Sequence, residues 1–330
     1  MNKITKNRIK KFFEILLSLT LCVFILYWTY RNFDFKTAWQ VLQHNVKYEW
    51  ILLSFIPGTF SHLFRAWRWK LTLSPLGEHP RTSTTINSIF FSYASSLIVP
   101  RIGEVARCGI LQRYEGTSFA RSLGTVVTER VVDVVFMLLL IVATIITQMP
   151  VFVRFFSLTG TNVDAWSSLF ASWQFYLLVA GTVGLGYVAW KILRKRLSPI
   201  LSNMWTGITS IRQVTHPWLF VLYSIGIWMS FYLEFYIAFF AFPFTAIIPP
   251  LTALAIFTVG SMAVLVPTPN GAGPWHFAVI TMMGFFGIAE NDAATFALLV
   301  HGIQTCLMIA LGIYSVVALM MTSHSHRTAN

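Results

Sequence analysis

Glu129, Arg130 and Asp133 fall within one helical turn in the middle of a long apolar run, and they form the densest ionisable cluster of the sequence. Glu129 and Asp133 are four residues apart and share one helical face. Arg130 points away from that face and needs another partner. Each charge at the centre of a membrane helix costs roughly 2.5 to 3.5 kcal/mol on insertion scales, so three together must be paired or solvated. The cluster reads either as a structural salt-bridge network or as a site that handles a charged headgroup or a proton. Glu104 and Arg107 are expected to face it.

The second half of the chain carries sparser candidates. Glu234 stands alone near the middle of its apolar run, with His276, His301 or Arg107 as expected partners. His301 and Gln304 take roughly the place of Glu129 and Asp133. An intramembrane carboxyl is a functional candidate by default, the plain alternative being a hydrogen bond that staples two helices. His276 can titrate near neutral pH, but in an aromatic setting it reads as readily as a packing residue. Glu129 and Asp133 also have the types of an acid and base pair. No nucleophile motif, zinc-ligand spacing or phosphate-binding loop accompanies them, so the expectation is a protein that is not an enzyme and carries no cofactor or metal. Cys22, Cys108 and Cys306 are far apart and read as small packing residues.

The elements that must position these groups are membrane helices. Of the 330 residues, 56% are hydrophobic and 11% charged, against roughly 25% charged in a soluble domain. A soluble fold has no place to hide that much apolar surface. The net charge of +12 gathers in short segments between apolar runs, which is the pattern of cytoplasmic loops rather than of a nucleic-acid surface. The basic start resembles a signal peptide, but no small-residue cleavage site follows Tyr30, so an uncleaved first helix is expected.

Six segments read as full spans: 12–30, 49–64, 119–148, 173–191, 218–242 and 292–321. Residues 31–48, with Phe35, Ala38, Trp39, Val41 and Leu42 at near-helical spacing, read either as an interfacial amphipathic helix or as a loop with one helical turn. Two more apolar stretches are interrupted. Residues 83–116 break around Pro100 and Gly103, and residues 250–287 break around Pro267, Pro269, Gly271 and Gly273. Proline removes a backbone donor and glycine permits positive φ, so each stretch reads as helix, turn, helix.

The basic N-terminus, the cluster Arg65, Arg68, Lys70 and Arg81, and the segments 101–121 and 191–212 are placed in the cytoplasm, while 149–172 and 241–250 face outward. Both constraints hold with six spans only if each interrupted stretch enters and leaves on one side as a re-entrant hairpin. The expected fold is an all-α integral membrane protein, one membrane domain over 1–330. Its first inverted repeat covers 12–148 and its second 149–321, each of two spans, a re-entrant hairpin and a span. Residues 322–330 form a cytoplasmic tail. Eight complete spans is the rival. Bent backbone at bilayer depth implies an interior cavity, and the helix N-termini after each turn suit an anionic headgroup.

Gly103-Glu104-Val105-Ala106-Arg107, Thr128-Glu129-Arg130-Val131-Val132-Asp133 and Pro267-Thr268-Pro269-Asn270-Gly271-Ala272-Gly273 resemble the membrane domain of the lysylphosphatidylglycerol synthase/flippase family, over nearly the whole chain. The resemblance implies a plasma-membrane protein that moves, or helps to move, a charged phospholipid between leaflets, with Glu104, Arg107, Glu129, Arg130 and Asp133 lining the path; charge placement puts both termini in the cytoplasm. Fused members carry a following aminoacyl-transferase domain; this chain stops at Asn330, so lysyl transfer is expected to be absent. It departs from the family pattern at Asn270-Gly271, His276 and His301-Gly302, which allows a substrate other than an aminoacylated lipid. The alternative function is a membrane partner or regulator of a glycosyltransferase or lipid-modifying enzyme such as a separate aminoacyl-transferase.

Overall fold

A computed structural model describes residues 3–148, Trp173 and residues 209–327. The expected span at 173–191 lies outside the described residues, apart from Trp173. Among the described residues there are ten α-helices and no strand: α1 (Lys3–Tyr30), α2 (Phe35–His44), α3 (Tyr48–Leu73), α4 (Thr82–Ser96), α5 (Ile102–Glu115), α6 (Phe119–Thr147), α7 (Pro217–Phe239), α8 (Pro250–Ala263), α9 (Pro274–Phe285) and α10 (Glu290–Arg327). Three described helical stretches are long and apolar enough to cross a membrane: Phe119–Thr147, Pro217–Phe239 and Glu290–Thr322. Shorter apolar stretches lie at Ser18–Tyr30 and Pro250–Ala263. The outward-facing residues of α6 and α10, among them Leu138, Leu139, Ile313 and Val317, are exposed and apolar, as helices solvated by lipid must be.

Both interrupted stretches are helix, turn, helix. The first breaks between Ser96 and Ile102, with Arg101 left-handed at φ 63. Gly103 makes close packing of α4 on α5 possible, because a Cβ there would collide with the Ser92 carbonyl and come within 2.5 Å of the Ser96 hydroxyl. The second breaks between Ala263 and Pro274 and contains the 3-10 turn Pro269–Gly271, with Asn270 left-handed at φ 49. Arg101 and Asn270 are the two non-glycine residues with positive φ among the described residues. Such conformations cost of order 1–3 kcal/mol and persist where surrounding structure enforces them. The two turns touch, since the Arg101 Nη2 donates to the Leu265 carbonyl at 3.4 Å.

The helices pack in a regular pattern. α3 and α7 run antiparallel along their length, with Trp50 against Phe240, His62 against Phe231, Phe64 against Tyr223 and Arg68 against Ser224. α4 packs on α10, where Ala94 approaches Gly312 and Phe90 meets Tyr314. α6 packs on α8 through a Thr144–Thr258 hydroxyl hydrogen bond of 2.9 Å. α1 crosses to the second turn, where the Ser18 hydroxyl donates to the Pro267 carbonyl at 2.5 Å.

The connections gather at two ends. At one, the Lys47 N–H donates to the Ala241 carbonyl at 2.9 Å and the Asp34 N–H to the Asn291 Oδ1 at 2.9 Å. At the other, Arg81 pairs with Glu115 at 2.9 Å and Arg121 lies 3.8 Å from Glu78. The ambiguous segment after Arg31 is a helix, α2, capped by Asp34 and showing exposed Phe35 and Trp39. One expectation needs correction: the second span does not stop at residue 64. α3 continues to Leu73, and Arg65 and Arg68 are buried inside the bundle rather than lying in a cytoplasmic loop. The helix continues because Arg65, Arg68, Trp69 and Thr72 follow one another at helical spacing and have buried partners to face.

Candidate functional site

The main site is built from α3, α5 and α6. Ser118 caps α6, accepting from the Arg121 N–H, and a smooth helix then puts Glu129 and Asp133 on one buried face. α5 presents Arg107 to that face, and the Arg107 Nη2 lies 2.6 Å from the Glu129 Oε2. α3 brings two more cations: Arg65 Nη1 is 2.9 Å and Arg68 Nη2 2.8 Å from the two Asp133 oxygens. Arg68 also lies 3.5 Å from Glu129 through its Nε. Asp133 is thus gripped on both oxygens, and Arg68 spans the two carboxylates.

Arg130 finds the partner its orientation demanded. Its Nε lies 2.9 Å from the Glu104 Oε1, at the half-exposed rim of the site, and its Nη1 lies 3.3 Å from Asp133. Trp69 forms a wall, with Arg107 4.3 Å from its ring centroid and its own N–H donated to Thr125 at 2.9 Å. Four guanidiniums therefore meet three carboxylates. Arg107 Nε and Nη1 and Arg65 Nε are buried donors without a hydrogen bond among the described residues, and Arg68 Nε makes none beyond its 3.5 Å ion pair with Glu129. A site with spare positive charge and spare N–H groups is chemically suited to an anion.

The second turn holds a counterpart built from two imidazoles. His276 of α9 and His301 of α10 meet as tilted rings with centroids 4.5 Å apart, flanked by Trp275 and Tyr30. His276 Nδ1 accepts from the Gly273 N–H at 3.3 Å, so the start of α9 is capped from within. His301 Nε2 lies 3.2 Å from the carbonyl of the left-handed Asn270. The expected pairing of Glu234 with either histidine or with Arg107 does not occur. The histidines face each other, Arg107 faces Glu129, and Glu234 is buried against α3, its Oε1 2.6 Å from where a Cβ on Gly58 would stand. The helix faces decide this: Glu234 projects from the side of α7 that α3 covers.

Beside the second turn, α1, α8 and α9 enclose an open cavity of about 850 Å3 lined by apolar side chains, among them Phe24, Trp28, Met262, Phe277 and Phe285. Pro100 is half-buried and Pro267 exposed at the tips of the turns, next to exposed Ile98 and Leu265. Reasoning from the sequence missed Arg65 and Arg68. The available signal was the excess of buried acid over buried base in α6, which requires cations from another helix.

A family model described as the lysylphosphatidylglycerol synthase TM region matches residues 15–312. Neither a curated protein nor a solved structure matches the chain.

Proposed function

Because the chain belongs to the lysylphosphatidylglycerol synthase transmembrane-region family, we propose that it moves a charged-headgroup phospholipid or lipid-linked substrate between the two leaflets. The observation that carries this reading is the meeting of the two bent turns at Arg101 and Leu265, next to the arginine-rich site. Backbone that leaves the helix at bilayer depth must be buried in protein or line a wet chamber. Spare guanidinium donors suit a phosphate, and the apolar cavity between α1, α8 and α9 has room for an acyl chain.

Several features support an inverted repeat of six spans and two re-entrant hairpins as the machinery. Exchanging α3 with α7, α4 with α8, α5 with α9 and α6 with α10 turns the contact of α4 with α10 into that of α8 with α6. The same exchange maps Arg107–Glu129 onto His276–His301, and α3 meets α7 antiparallel, as symmetry mates of opposite orientation do. The arms of the hairpins have 15, 14, 14 and 12 residues, or about 18–22 Å at 1.5 Å per residue, short of a core roughly 30 Å thick. Under this reading the protein sits in the plasma membrane with both termini in the cytoplasm and is a transporter, not an enzyme.

The test is leaflet exchange in liposomes containing the purified protein, with labelled anionic, zwitterionic and cationic phospholipids. Exchange well above protein-free liposomes for at least one class is expected, lost in Arg107→Gln. Exchange no faster than in empty liposomes for every class would sink the proposal and leave the membrane-partner reading.

A further inference from the structure

The buried face of α3 carries more than the arginine site. Gly58, His62, Arg65, Arg68 and Trp69 follow each other at intervals of one helical turn or less, all buried. Against the outer part of this stripe α7 sets Glu234, which is 8% exposed and has no hydrogen bond or ion pair among the described residues. One turn along α3 from Gly58, His62 is 3% exposed, and its Nδ1 has no partner. The His62 ring sits 4.2 Å from that of Tyr93 on α4, and Arg65 lies 5.9 Å from the same Tyr93 ring before reaching Asp133.

Ionisable groups therefore follow one face of α3: Glu234 beside Gly58, His62 one turn further on against Tyr93, then Arg65 with Asp133, Arg68 with Glu129, and finally Arg130 with Glu104 at the half-exposed rim. The charged or titratable groups facing the Glu234–His62 end are Arg65 of α3 and Tyr93 of α4, with Asp133 of α6 behind them. α10 offers Leu307 and α7 offers Phe231, neither of which titrates. A carboxylate at this depth with neither a cation nor a donor is costly, and binding one proton removes the charge. The His62 imidazole, one turn along α3 and without a partner on its Nδ1, is the next buried acceptor on this face; a proton that leaves the Glu234 O–H and reaches it forms N–H and makes a cation one turn from Arg65. Like charges one turn apart repel, so a proton on His62 pushes on Arg65 and hence on the grip around Asp133.

We propose that Glu234 and His62 form a proton-binding pair whose occupancy is transmitted by Arg65 to the Asp133 and Glu129 cluster, so that lipid movement is coupled to a proton. The inference rests on the lipid-moving reading for its consequence, but the proton site itself does not.

Two measurements on the protein in lipid nanodiscs and liposomes test it. Infrared difference spectra across a pH titration should contain a protonated-carboxyl band that E234Q removes. In liposomes, a gradient of one pH unit should shift the steady-state leaflet distribution of labelled lipid by up to about tenfold per coupled proton, and E234Q and H62F should abolish that response. H62F retains an aromatic ring among Phe90, Tyr93 and Phe231, so it tests the coupling even if E234Q does not fold. A titration without the band, or lipid exchange indifferent to the gradient in wild type, overturns the proton coupling and leaves the flippase reading intact. The band lost in E234Q, with no lipid exchange in any condition, supports the proton site and removes the flippase reading instead.

Discussion

Removing the carboxylate of Glu129 leaves the guanidiniums of Arg107 and Arg68 without their shared anion in a fully buried setting. Breaking a buried pair from one side costs about 3–5 kcal/mol, so Glu129→Gln is expected to lower the thermal unfolding midpoint in detergent markedly. Replacing both partners by apolar residues of similar volume is often neutral. The double variant Arg107→Met, Glu129→Met should therefore recover much of the lost stability while lipid exchange stays absent. Recovery of exchange together with stability would make the network purely structural. At this scale Glu129, Asp133, Arg130, Glu104 and Arg107 were legible in the sequence, because charge inside an apolar run is conspicuous. Arg65 and Arg68 were not, because two arginines at the end of an apolar run look the same in a cytoplasmic loop as in a buried helical turn.

Among the elements, the hairpins depend on close approach. Gly103→Val puts atoms onto the Ser92 carbonyl, and overpacking of this kind costs about 1–3 kcal/mol; faster proteolysis within 97–101 would report it. The short helix α2 depends on its cap. The Thr37 hydroxyl, 2.5 Å away, and then the Thr37 and Lys36 N–H groups hold the Asp34 carboxyl below its usual range. A depressed carboxyl stabilises the folded form above the unfolded value and loses that contribution as pH falls through the folded one. Hydrogen exchange over 35–44 should thus quicken in acid, and Asp34→Asn should flatten the dependence. The broken helices were readable from Pro and Gly alone, since no packing restores the missing donor at Pro100 or Pro267. The pairing of Glu234 was unreadable, because rotation of α7 about its axis is set by the stripe of α3 it covers.

For the whole molecule, the proposed six-span topology would put His79 and Gln213 on one side of the membrane and Phe35 and Ile247 on the other, all four exposed. Single cysteines there, in a background lacking Cys22, Cys108 and Cys306, should react with impermeant reagents from those sides. Cysteines at Ile98 and Leu265 separate the topologies: re-entrant hairpins keep both slow to react, whereas eight full spans expose the first outside and the second inside. Charge counting yields an expectation of span number and direction, but nothing of which helix lies against which. Contacts such as Ser18 with Pro267, 249 residues apart, leave no trace in local sequence pattern. That one contact has a practical corollary. The first helix of the chain clasps the turn of the opposite half, with Gly273 packed on Cys22 and Ile25, so neither half completes its own packing. Two fragments severed after Gln148 should be degraded when each is produced separately, yet reassemble into a working whole when made in the same cell.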